Sequence, residues 1–122
     1  MVRWLIWTTV VIVWSVALEL PVPDPGGPAG EFIFTNKYLF AKAVHVACYG
    51  VMTVLSAWVP MAGRYRWLMM FFLMGHAWGT EMLQEALHDW CHRGGSLADV
   101  GYDIVGIILG VTASWKNWVG EN

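Results

Sequence analysis

The sequence predicts an all-α protein: an integral membrane bundle of four transmembrane helices, with both termini on the cytoplasmic side. Three observations lead there. Of the 122 residues, 57% are hydrophobic and only 13% charged, whereas soluble chains average about a quarter charged. The apolar residues gather into long runs separated by proline- and glycine-rich breakers. Nine tryptophans and four tyrosines sit mostly near the ends of those runs, where amphipathic rings collect at headgroup depth. The length fits one domain over residues 1–122.

The first helix is expected over residues 3–20. Trp4 to Leu18 carries no charge and would rise only about 22 Å, so Val2 and Leu20 to Val22 are needed to approach a hydrocarbon core of about 30 Å. Ser15 and Ala17 have the spacing a signal peptidase accepts, but Trp4, Trp7 and Trp14 favour a retained helix over a cleaved leader. Pro21, Pro23, Pro25, Gly26, Gly27, Pro28 and Gly30 then predict a loop over 21–30. Glu31 to Thr35 reads as a short apolar patch at the interface. A second helix over 38–59 ends at Pro60 and Gly63, and a third over 66–89 is closed by Gly94 and Gly95. Ser96 with Asp99 three residues on is a capping-box signal for a fourth helix over 97–119.

Orientation follows from the few charges. Arg3, Arg64, Arg66 and Lys116 fall on one side, whereas the first loop carries Glu19, Asp24 and Glu31 against Lys37; basic loops stay cytoplasmic. A net charge of −2, with no basic cluster beyond Arg64 and Arg66, excludes a nucleic-acid partner. Cys48 and Cys91 are too few for a disulfide framework.

Each of the last three helices carries polar residues on one face. Lys42, His45 and Tyr49 stand at i, i+3 and i+7; Glu81, Gln84, Glu85 and His88 at i, i+3, i+4 and i+7; Asp99, Asp103, Gly106 and Gly110 share a face on the fourth. Gly106 and Gly110 form the small-xxx-small pattern that lets helices approach closely. Lys42, His45, Glu81 and Asp103 all fall roughly 6 to 15 Å below the outer boundary, counting about 1.5 Å per residue. Intramembrane ionisable groups cost about 2.5 to 3.5 kcal/mol each and are seldom idle. The expectation is an outward-opening pocket lined by Lys42, His45, Tyr49, Glu81, Gln84, Glu85, Asp99 and Asp103, with Arg93 folding over it from the outer loop. Asp99 has a second reading as the helix cap, and Lys42 as a snorkelling lysine or a counter-ion for Glu81 or Asp103.

Lys42-x-x-His45-x-x-x-Tyr49, Glu81-x-x-Gln84, and Arg93 followed by Asp99, Asp103, Gly106 and Gly110 together resemble the VanZ-like family of small membrane proteins over roughly residues 41–111. Ala41 stands where that family has an acid and Asp103 where it has an asparagine, and the connection from Gln84 to Arg93 is longer. The resemblance implies a cell-envelope protein of a bacterial-type inner membrane. The family's founding member is associated with resistance to teicoplanin, and no settled reaction comes with the family.

Two functions from different classes stay open. In the first, the pocket binds or acts on an anionic, lipid-linked cell-envelope headgroup: Lys42 and Arg93 hold the anion, and His45 and Glu81 serve as acid and base. In the second, the chain is an accessory subunit of a larger membrane complex and the polar cluster is a salt-bridge network that fixes helix register. A proton or cation path through Glu81, Glu85 and Asp103 ranks last, because the inner halves of the helices are apolar. No cofactor and no metal are expected. His88 and His92 are the weak candidates for zinc, and His76 reads as a hydrogen-bonded histidine before an axial ligand to haem or chlorin in a larger complex.

Overall fold

The computed structural model describes residues 1–20, 25–91 and 94–120, Cys91 through its backbone only. Among the described residues there are seven helices and no strand: α1 (Val2–Glu19), α2 (Gly27–Thr35), α3 (Lys37–Trp58), α4 (Gly63–Ala86), α5 (His88–Cys91), α6 (Leu97–Ala113) and α7 (Trp115–Val119). The all-α expectation holds, and the four long helices begin and end within about three residues of their predicted limits, save the last.

Two corrections concern local chemistry. The stretch expected to be loop and interfacial patch is a helix from Gly27 onward. Pro28 lies in its first turn, where the missing N–H would have had no partner in any case. Gly26 at φ 70° and Gly27 at φ 62° make the entry, a left-handed conformation that only glycine adopts without strain. The second correction is at the far end, where the predicted 97–119 helix breaks at Ser114. Its hydroxyl donates to Gly110 O at 2.6 Å and accepts from Trp118 Nε1 at 3.0 Å, and such back-bonding to the preceding turn bends helices.

α3 and α6 form the most extensive helix pair. Their axes approach closely because Gly106 and Gly110 face Gly50 and Thr53 without side chains between. A Cβ on Gly106 would run into the Val46 carbonyl, and one on Gly110 would lie 2.7 Å from Gly50 O. α1 leans on α3 and α4 through Trp7, whose Nε1 donates to Ser56 Oγ at 2.8 Å. Trp7, Val11, Tyr49, Met52, Leu73, Ala77 and Ile107 make the apolar core.

Arg66 was counted with Arg64 among the basic residues that set the orientation. It is buried in the first turn of α4, and its guanidinium donates to Ala57 O and, at 3.3 Å, to Met61 O. The end of α3 is thereby capped by the helix that follows it, satisfying carbonyls that a helix terminus otherwise leaves open.

The molecule is apolar outside and polar within. Leu5, Ile12, Val51, Leu68, Phe71 and Ile108 are exposed, whereas Lys42, His45, Arg66, Glu81, Gln84 and Asp103 are buried. Two helices, α1 and α3, are long and apolar enough to cross a membrane. α4 has the length but carries Arg64, Arg66, Glu81 and Glu85. α6, at 17 residues, would rise about 26 Å.

Candidate functional site

The face of α3 that carries Lys42, His45 and Tyr49 turns inward toward α4 and α6. Helical spacing aligns the three residues, and the glycines of α6 bring the acidic face of that helix close. His45 Nδ1 lies 2.6 Å from Asp103 Oδ1 and 4.0 Å from Glu81 Oε1. His45 is 3%, Glu81 4% and Asp103 0% exposed, so three helices bring an imidazole and two carboxylates together out of contact with solvent. Each carboxylate keeps one buried oxygen, Glu81 Oε1 and Asp103 Oδ2, with no hydrogen-bond partner. Buried polar atoms are nearly always satisfied, and an exception asks for an explanation.

Lys42 is buried and forms an ion pair with Asp99. Its ammonium also lies 4.5 Å from the ring centre of Tyr38 and 5.4 Å from that of Tyr102, close enough for cation–π attraction. It pairs with neither Glu81 nor Asp103, the counter-ions expected of it. Asp99 in turn does not complete the capping box. Ser96 is the N-cap of α6 and accepts from Ala98 N at 3.1 Å. Its own N–H donates to Glu81 Oε2 at 2.9 Å. The acid that closes the box comes from another helix, so the start of α6 is fixed to α4 and the Glu81 carboxylate is held toward His45. Replacing Ser96 with alanine is expected to cost about 1 kcal/mol, read as a lowered unfolding midpoint in detergent, with threonine largely restoring it.

The rest of the predicted pocket is dispersed. Glu85 is exposed, and its Oε2 accepts from Gly95 N at 2.9 Å. Gln84 is buried but turned to the first helix, with Nε2 donating to Leu18 O at 2.9 Å. Tyr49 belongs to a second network. Its hydroxyl meets His76 Nδ1 at 2.9 Å and Thr80 Oγ1 at 3.3 Å, and His76 Nε2 meets Ser15 Oγ at 2.7 Å. Ser15 has one hydroxyl hydrogen and donates it to Val11 O at 2.7 Å. It therefore accepts from His76 Nε2–H, which makes Nδ1 the acceptor for Tyr49. Both ring nitrogens are engaged, as the hydrogen-bonded reading of His76 expects. Trp14 stands edge-on to both His45 and Tyr49, with centroids 5.8 and 6.4 Å away.

His88 is exposed on α5. His92 and Arg93 lie outside the described residues, and with them the zinc pair and the folding-over of Arg93. A cavity of about 180 Å³ between α4 and the start of α6 borders the cluster, lined by Trp78, Met82, Leu97 and Val100 with Glu81 and Glu85. A larger one, about 650 Å³, lies at the opposite end of α3 beside Arg3, Trp58 and Arg66. Sequence reasoning missed Arg66 as a cap and Thr80 and Ser15 as network members. The signal for Arg66 was its place a few residues after Pro60, where the open carbonyls of a finished helix need donors.

The arrangement can move a proton between His45 and two carboxylates, hold a cation among them, and oppose an anion with Lys42. Compared with protein-family models, with curated proteins and with solved structures, the chain matches none of them.

Proposed function

We propose that the chain is a four-span membrane protein, crossing by α1, α3, α4 and the α6–α7 unit with both termini cytoplasmic, whose outer polar cluster binds an anionic, lipid-linked cell-envelope headgroup. The observation that carries this reading is Lys42, a buried ammonium on the inward face of α3 whose acidic partner, Asp99, an anion could replace. The two buried carboxylate oxygens without protein partners set the cluster apart from a purely structural salt-bridge network, which gains nothing from leaving such atoms unpaired. The apolar exterior supports the membrane setting, and the cell-envelope setting rests on the proposed resemblance of the motif order to VanZ-like proteins. Lys42 would exchange Asp99 for the ligand anion, with Arg93 as the second cation. His45, oriented through Nδ1 by Asp103, would give or take a proton at its other nitrogen, with Glu81 as the neighbouring acid.

A second reading, a small accessory subunit, draws on a different observation. The Lys42–Asp99 pair and the bonds from Glu81 and Glu85 to the Ser96 and Gly95 amides tie α3, α4 and α6 together. Native mass spectrometry of protein extracted gently from its own membrane separates the two. The headgroup reading expects a phospholipid or isoprenoid-phosphate adduct on the wild type that falls at least about tenfold in Lys42→Met and Arg93→Ala, the loss of one charge-assisted contact of about 1.5–3 kcal/mol. An adduct pattern identical in all three proteins, within a defined larger assembly, would transfer the conclusion to the accessory subunit.

A further inference from the structure

The geometry points to a divalent-cation site formed by His45, Glu81 and Asp103. One imidazole nitrogen and one carboxylate oxygen from each acid lie within 4.8 Å of one another, and all three residues are buried. The independent sign is that Glu81 Oε1, the oxygen facing His45, has no hydrogen-bond partner, and neither has Asp103 Oδ2. A metal would take His45 Nδ1, Glu81 Oε1 and one oxygen of the Asp103 carboxylate.

The spacing is that of a site poised to close. Metal–ligand bonds of about 2.0–2.2 Å put neighbouring donor atoms about 3.0–3.4 Å apart. The observed separations of 2.6 Å from His45 Nδ1 to Asp103 Oδ1 and 4.0 Å to Glu81 Oε1 bracket that range. Opening the first contact and closing the second by about 1 Å or less each would meet it. The holding bonds come from the framework. Ser96 N fixes Glu81 Oε2, which leaves Oε1 directed inward, and the glycine contact of α6 on α3 sets Asp103 against His45. An outer hydrogen bond that orients a ligating carboxylate is the usual support of a metal site.

The donor set chooses the ion class. Two carboxylates with one imidazole suit first-row divalent ions such as Mn²⁺, Fe²⁺ or Zn²⁺, whereas Ca²⁺ and Mg²⁺ prefer oxygen ligands throughout. Binding at Nδ1 displaces the hydrogen between His45 Nδ1 and Asp103 Oδ1, and a neutral imidazole then carries its hydrogen on Nε2. Three protein ligands leave coordination positions for outside oxygens. The charge balance is also informative: Glu81, Asp99 and Asp103 face one firm cation among the described residues, Lys42, which is a poor host for an anion. A bound dication reverses that balance and would let a phosphate or carboxylate approach. The ion site itself does not rest on the headgroup reading.

Purified protein in detergent, stripped with chelator and dialysed against Mn²⁺ or Zn²⁺, tests it by metal content and by titration. The expectation is one ion per chain, weak competition by Mg²⁺ or Ca²⁺, and affinity lowered at least about 100-fold in Asp103→Asn and Glu81→Gln. His88→Ala and Glu31→Gln should shift it less than twofold. Pulsed electron paramagnetic resonance of Mn²⁺ on the wild type should show a directly bound imidazole nitrogen, a readout that needs no variant to fold. Binding absent from the wild type, or unmoved by Asp103→Asn, or abolished by His88→Ala, overturns the site. Stoichiometric Mn²⁺ in a protein with no residue-sensitive lipid adduct would uphold the ion site and remove the headgroup reading.

Discussion

Replacing His45 with leucine is expected to destabilise the metal-free protein by about 3–5 kcal/mol, the usual cost of breaking a buried charge cluster by removing one partner. The reason is what remains. Asp103, fully buried, and Glu81, 4% exposed, would face each other across the space of the lost ring, with Lys42 already committed to Asp99. The large term is therefore the stranded carboxylates, and the lost packing of one imidazole under Trp14 is the small one. Removing Asp103 as well should recover most of the loss, because an apolar pair of similar volume is often as stable as the ion pair it replaces. His45→Leu, Asp103→Leu and the double variant, unfolded in detergent with chelator present and followed by tryptophan fluorescence, complete a double-mutant cycle. Coupling above about 1 kcal/mol is expected for contacting residues. A single variant within about 0.5 kcal/mol of wild type, the range of an exposed position, would mean that water reaches the cluster and that it is not a sealed site.

Much of this cluster was legible in the sequence, and the parts that were not share a cause. Helical periodicity put Lys42, His45 and Tyr49 on one stripe and Asp103 with Gly106 and Gly110 on another, because side-chain direction along a helix is fixed by the backbone. Gly106 and Gly110 then act as their spacing predicts, on the α3–α6 contact. Periodicity does not say which neighbour a polar group chooses. Tyr49 and Gln84 share a stripe with site residues yet bond toward the first helix, through His76 and Leu18 O, since burial against α1 left those groups needing partners there. Glu85, one turn beyond Glu81, lies past the end of the packed region and serves Gly95 N. Asp99, read both as a pocket residue and as a local cap from a four-residue pattern, pairs with Lys42, whereas the amide of the N-cap Ser96 is held by Glu81, 15 positions away in sequence, which no local pattern encodes. Arg66 was read only as a charge that sets orientation, and a count of charges does not say that the open carbonyls at the end of α3 would take it as their donor.

The same helix offers a test in which one substitution has opposite signs at two positions. Gly101→Ala is expected to stabilise the protein by about 0.5–1 kcal/mol, because a helix-interior glycine loses backbone entropy that alanine does not. Position 101 is exposed and a Cβ there meets nothing within 4 Å. Gly106→Ala, five residues on, should destabilise by about 2–3 kcal/mol or more, the upper range for overpacking. There the added methyl meets the Val46 carbonyl and, at 3.1 Å, Tyr49 Cβ, and the carbonyl belongs to a helix backbone that cannot rotate away. Relief requires α3 and α6 to separate. Because Asp103 precedes Gly106 by one turn and His45 adjoins Val46, the separation would also lengthen the 2.6 Å contact between His45 and Asp103. Gly106→Ala should therefore weaken Mn²⁺ binding as well as stability, although no ligand atom is altered, while Gly101→Ala leaves Mn²⁺ affinity unchanged. Unfolding midpoints and Mn²⁺ titrations of the two variants in one detergent read both effects. Equal stability changes at 101 and 106 would show that the α3–α6 contact is looser than its glycines require, and with it the geometry that holds the carboxylates beside His45.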